Sequence, residues 1–207
     1  MFSVEKICEK ISKNIAKELN FDDDKRDIVN YGIFAFIQTG ICIAMVIIFG
    51  LIFNVTIEAL IISFIISILR KSSGGVHASS PGRCAIIGTI ICVGLAMISK
   101  KIYIDFFLNI FWGSIVFVWS YYIVYKLAPV DSIAKPIKTI EKKTRLKKNS
   151  IKILTVYLII VIINSISYFY IRNIIFLTFS MCIYMGSLWQ VFTLTRAGHA
   201  LFEHLKI

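Results

Sequence analysis

A chain of 207 residues that is 57% hydrophobic and only 17% charged, with a mean hydropathy of +0.79, is too apolar to be a water-soluble domain of this size. Its formal charge of +11 therefore belongs to segments beside a membrane, and nucleic acid is not expected as a partner. Five cysteines, an odd number with no paired spacing, exclude a disulfide framework.

The first thirty residues read as an amphipathic helix. Val4, Ile7, Cys8, Ile11, Ile15 and Leu19 recur at helical spacing, with Lys6, Lys10, Lys13 and Lys17 on the other side. Such a segment is expected to lie in the membrane interface as an anchor, or to dock a helical partner. It lacks the compact apolar core of a secretory signal peptide. The run Asp22, Asp23, Asp24 and Asp27 follows and reads as a solvated linker.

Six uninterrupted apolar segments come next, at 32–53, 55–69, 85–99, 103–127, 151–171 and 173–195. Helices are the open segments that satisfy every backbone N–H and C=O in lipid, so the expected fold is an all-α polytopic membrane protein. It has six transmembrane helices and an N-terminal interfacial amphipathic helix. The second and third segments fall short of the roughly 20 residues that a bilayer needs. That shortness predicts a recessed, partly dry pocket between them. Cys42, Cys92 and Cys182 fall inside apolar runs and are expected to pack there. No repeat or linker divides the chain, so residues 1–207 form one domain. Within it are the 1–30 segment, a polar segment at 70–84 and a basic loop at 128–150.

Lys and Arg set the orientation. If the N-terminus is cytoplasmic, all of the 23 Lys and Arg fall on the cytoplasmic side except Lys100, Lys101 and Arg172. The positive-inside rule thus places the N-terminus and the 70–84 segment in the cytoplasm, where a thiol stays reduced. Trp119, Tyr121, Tyr122 and Tyr125 form an aromatic belt at the same side. The basic loop both orients the chain and attracts anionic lipid or an acidic peptide.

Chemistry concentrates in the polar segment RKSSGGVHASSPGRC, which joins the two short helices. His77 and Cys84, on one continuous helix, would stand about 10 Å apart, too far for proton transfer, so the chain must bend between them. Ser80 reads as an N-cap with Pro81 at the first helical position. Cys84 then falls near the first turn, where unpaired N–H groups and the helix dipole favour a thiolate. Gly74 and Gly75 give backbone freedom for close approach of a peptide, or N–H donors for an oxyanion. A lone His beside a lone Cys is also compatible with unrelated packing. What raises the dyad above that is the cost of ionisable groups at bilayer depth. Arg70 is either a ligand for a substrate carboxylate or a helix-end interfacial anchor. Asp131 is on the correct side to orient His77 or pair with Arg70, or pairs with another loop cation, and Lys135 lies close to it in sequence. Glu58 stands about 18 Å along a helix from Arg70, toward the outer side. Zinc needs three protein ligands, and no third His or Cys lies nearby, so no metal or cofactor is expected. His199 and His204 are five apart, a poor helical pair.

This segment, followed one helical hairpin later by APVDSIAKPI at 128–137, resembles the accessory gene regulator protein B family. Length, helix number and the N-terminal helix leading into Tyr31 and Gly32 agree with it. Some relatives carry a polar side chain two residues beyond that pair; Phe34 stands here, and the nearest amide is Gln38. The resemblance implies a membrane cysteine endopeptidase that processes a small precursor peptide into a cyclic quorum-sensing signal. Cys84 would be the nucleophile and His77 the base, with Arg70 and Gly75 supporting the site. The implied partners are a precursor peptide with an acidic C-terminal tail and membrane lipids, and a homodimer is compatible with the sequence. Two other classes stay open, a small peptide exporter without proteolytic activity and a membrane lipid-modifying enzyme. The first should show charges deep in several helices, and the second clustered acids for a metal.

Overall fold

The computed structural model describes residues 4–76, 80–102, 105–130 and 139–204. These fold into eight helices: α1 (Val4–Leu19), α2 (Asp23–Ile52), α3 (Thr56–Ser73), α4 (Pro81–Lys101), α5 (Phe106–Leu127), α6 (Ile140–Ile171), α7 (Ile175–Phe192) and α8 (Arg196–His204). Five of them, α2, α4, α5, α6 and α7, are long and apolar enough to cross a membrane.

The helices overrun the apolar segments at their polar ends. The Asp22–Asp27 run is not a linker: Asp22 caps α2 by accepting from the Lys25 N–H at 2.8 Å, and Asp23 pairs with Arg26 at 2.8 Å within the first turns. Likewise α6 begins at Ile140 under a Thr139 cap, so much of the predicted basic loop is helical. The third apolar segment is not short either, because α4 continues through Ser99 to Lys101 and spans 21 residues.

α3 and α7 form the central pair. One apolar cluster joins them to α5 and α6 through Leu69, Val124, Leu154 and Tyr184; another joins them to α2 and α4 through Val46, Ile62, Cys92 and Cys182. Glycines set the closeness of the approach: a Cβ on Gly186 would meet Ile65 Cγ2 at 2.8 Å, and one on Gly113 would strike the Tyr184 ring. Small residues at helix contacts are how apolar helices pack where lipid competes equally for Leu and Ile. α1 turns back at Asn20, where φ is 52°, and lies on α2 through buried Cys8 and Ser12. Its Ile7, Ile11 and Leu19 face outward.

The pattern of burial is that of a bundle in lipid. Phe36, Ile90, Phe107, Val118 and Phe169 are exposed, whereas Asn109, Ser120, Ser150, Ser187, Gln190 and Thr193 are buried. Water-soluble folds distribute these types the other way. Many buried hydroxyls satisfy themselves on the carbonyl four residues back, as Thr89 does on Ala85 at 2.8 Å and Ser180 on Phe176 at 3.0 Å. Trp119, Tyr122 and Tyr125 are exposed near one end of α5, with Lys147 over the Tyr125 ring at 4.2 Å and Lys126 over Tyr122 at 5.5 Å.

Candidate active site

α4 starts where the Ser-Pro pair predicts. Ser80, in extended backbone, accepts from the Arg83 N–H at 3.3 Å, and Pro81 opens the helix. Cys84 follows in the first turn, its own N–H bonded to the Ser80 carbonyl at 3.0 Å. It is half-buried and carries a free thiol.

One side chain from another helix bonds to this turn. Gln38 of α2 donates to the Pro81 carbonyl at 2.8 Å and approaches the Cys42 sulfur at 3.9 Å. Cys42 and the first turn of α4 thus share the Gln38 amide. Arg70, at the end of α3, reaches the segment that joins α3 to α4. Its guanidinium is partly buried. It donates through Nη2 to the Val76 carbonyl, one residue before His77, while its buried Nε has no partner among the described residues.

The glycine pair is held from three sides. Gly74 ends α3 with φ 71° and ψ −150°, and Gly75 has φ 128°, values that side chains resist. Gly74 forms a parallel bridge with Val130, in which the Val130 N–H donates to the Ser73 carbonyl at 2.9 Å. A Cβ on Gly74 would strike the Val130 carbonyl. The APV motif, which carries a cis Ala128–Pro129 peptide bond, is thereby stitched to the polar segment. From α7, the fully buried Gln190 donates to the Gly74 carbonyl at 2.8 Å and to Ser73 Oγ at 3.1 Å. The Val76 N–H donates to the Thr193 carbonyl at 3.3 Å, and a Cβ on Gly75 would lie 2.7 Å from Thr193 Oγ1. These contacts account for the glycines by close approach of backbone and of α7.

The structure thus brings Cys84, Arg70, Gly74 and Gly75 to one end of the bundle. His77, Asp131 and Lys135 lie outside the described residues. Glu58 does not join the site; it stands at the far end of α3, 3.4 Å from Lys100. Gln190 and Thr193 escaped sequence reasoning. Their signal was two polar residues three apart, on one helix face, at the end of an otherwise apolar run.

The family model for Accessory gene regulator B matches residues 8–194. The chain belongs to the AgrB family. It is 42% identical over 203 residues to a "Putative AgrB-like protein" of Clostridium perfringens strain SM101, covering 97% of this chain and 95% of that protein. The same identity and coverage relate it to "Putative AgrB-like protein 2" of Clostridium perfringens strain 13. No solved structure matches the chain. An AgrB-family chain with five such apolar helices is a multi-pass membrane protein. Within the AgrB match fall both halves of the stitched site, the glycine pair and the α7 residues that hold it.

Proposed function

We propose that this AgrB-family protein is a membrane-embedded cysteine endopeptidase that removes the C-terminal part of a small precursor peptide and promotes its cyclisation. The observation that carries the reading is the position of Cys84 in the capped first turn of α4, at the end of the bundle where Arg70 holds the Val76 carbonyl. Family membership supports a part in accessory gene regulator peptide processing.

In the proposed reaction His77 takes the Cys84 proton and the thiolate attacks the precursor carbonyl. The carbon–nitrogen bond breaks, the tail leaves as an amine that receives the proton from His77, and a thioester to Cys84 remains. A cysteine or serine inside the bound precursor then attacks that thioester through its own deprotonated atom. His77 takes the proton that this atom gives up, and ring closure breaks the acyl–sulfur bond and frees the Cys84 sulfur as thiolate, to which His77 passes that proton. Exchange of one thioester for another is nearly isoenergetic, so thiolactone formation needs no ATP. Water must be kept from the acyl-enzyme, and half-burial of Cys84 serves that end.

Three placements belong to the same proposal. α3 is the sixth span: although it holds Glu58, Arg70 and Lys71, its inner face is buried between the two apolar clusters, where charge at the ends is tolerated. α1 lies in the cytoplasmic interface with Ile7, Ile11 and Leu19 toward lipid. The N-terminus and Cys84 face the cytoplasm, because that arrangement gathers the cations on the inner side.

The test is co-expression with the short peptide encoded beside this gene, comparing the native protein with Cys84→Ala, Cys84→Ser and His77→Ala. Cleavage is expected to stop in the alanine variants, with membrane insertion unchanged. Undiminished cleavage in Cys84→Ala removes the mechanism and leaves an exporter without peptidase activity as the better reading.

A further inference from the structure

At the end of the bundle opposite Cys84, a cavity of about 760 Å³ opens between the α2–α3 turn, the end of α4, the start of α5 and the α6–α7 turn. Its walls include Asn54, Glu58, Lys100 and Asn109, and none of the residues around the thiol. Glu58 Oε1 lies 3.4 Å from Lys100 Nζ; the Glu58 side chain is 13% exposed and that of Lys100 is 49% exposed. The same ammonium donates to the Asn54 carbonyl. Asn109 is fully buried, and its Nδ2 donates to the Leu177 carbonyl at 3.3 Å. Its Oδ1 has no hydrogen-bond partner among the described residues. A buried acceptor kept without a donor points to a donor that arrives from outside.

The polar balance of the cavity defines that donor. A carboxylate, a backbone carbonyl and an orphan amide oxygen all accept hydrogen bonds, and the ammonium that faces two of them sits on a long, half-exposed stem able to swing into water. We propose that the cavity binds a primary ammonium group on a small ligand. The ligand's ammonium replaces Lys100 Nζ at Glu58 and the Asn54 carbonyl, and the Asn109 side chain turns into the cavity to bring Oδ1 to a further N–H of the ligand. The volume suits a compact ligand of a few residues. The amino end of a short peptide supplies this chemistry, and so does an ethanolamine lipid headgroup. The site shares no residue with the thiol centre, so it stands or falls apart from the peptidase reading.

The experiment uses the full chain in phosphatidylglycerol nanodiscs, with tri-alanine and N-acetyl-tri-alanine as probes read by saturation-transfer NMR. Tri-alanine is expected to bind saturably, and acetylation or Glu58→Gln to weaken it tenfold or more. Lys100→Ala is expected to tighten it severalfold by removing the tethered competitor, a gain that misfolding cannot produce. Absence of tri-alanine binding, equal binding of the two peptides, or unchanged affinity in both variants overturns the site. Given binding, its loss in discs containing phosphatidylethanolamine assigns the natural ammonium to the headgroup, and its persistence assigns it to a soluble amine.

Discussion

Arg70 and Gln190 act on the same short stretch of backbone from opposite sides, one through the Val76 carbonyl and the other through the Gly74 carbonyl. Neither can act as the base for Cys84, because a guanidinium is already protonated and a carboxamide is not basic. On the peptidase reading they are positioning residues for His77, and their loss should separate turnover from binding. Gln190→Leu is expected to lower kcat tenfold or more with KM changed less than twofold, measured on the precursor in detergent. Equal loss in both constants would mean that the substitution disturbs the whole bundle. Arg70→Lys keeps a charge but not the guanidinium fork, and should lower kcat at least as much. Normal turnover in that variant would show that the charge alone suffices.

At the scale of elements, the glycines carry sharper consequences than the apolar residues around them. Gly113→Ala forces a methyl against Tyr184 between α5 and α7, and overpacking of this kind costs about 1–3 kcal/mol. The expected result is a lower midpoint of thermal unfolding in detergent with precursor cleavage retained below it. Gly75→Ala, at φ 128° and against Thr193, adds backbone strain of about 1–3 kcal/mol and should abolish cleavage even below its lowered midpoint. Cleavage retained below that midpoint would make its role one of packing. What the sequence disclosed about elements follows the same division between local and distant causes. The start of α4 was legible because Ser80 and Pro81 act on their own neighbours. The starts of α2 and α6 were not, because an apolar run reports only the part of a helix that lipid covers. Asp23 with Arg26, and the Thr139 cap, let the helix continue where the run has ended. Gln190 was invisible for a different reason: it meets Ser73 across 117 positions of chain, and no local pattern records such a contact.

For the whole molecule, the expected topology sets Cys84 and Lys101 on opposite sides of the membrane. A membrane-impermeant maleimide should label Cys84 in inverted vesicles but not in intact cells, and Lys101→Cys the reverse. Labelling of both from one side would overturn the arrangement. The basic residues of early α6, exposed Lys143, Arg145 and Lys148 among them, give the proposed acidic precursor tail a surface to approach. Raising ionic strength shortens the reach of such attraction, so KM for the precursor is expected to rise with salt while kcat holds. A KM insensitive to salt would remove that role.

The enclosure of α3 bears on how the protein is made. A helix with Glu58 near one end and Arg70 and Lys71 at the other partitions poorly by itself as it leaves the ribosome. Gly50 touches Thr56 across the tight turn after α2, with the Val55 N–H donating to the Gly50 carbonyl at 2.8 Å, so the strongly apolar α2 is a ready escort. With α3 as the proposed sixth span, the two should enter the bilayer as a hairpin and wait there for α7 to cover the exposed flank. A nascent chain stalled before residue 175 would then hold Arg70 beside lipid, an easy target for membrane quality-control proteases.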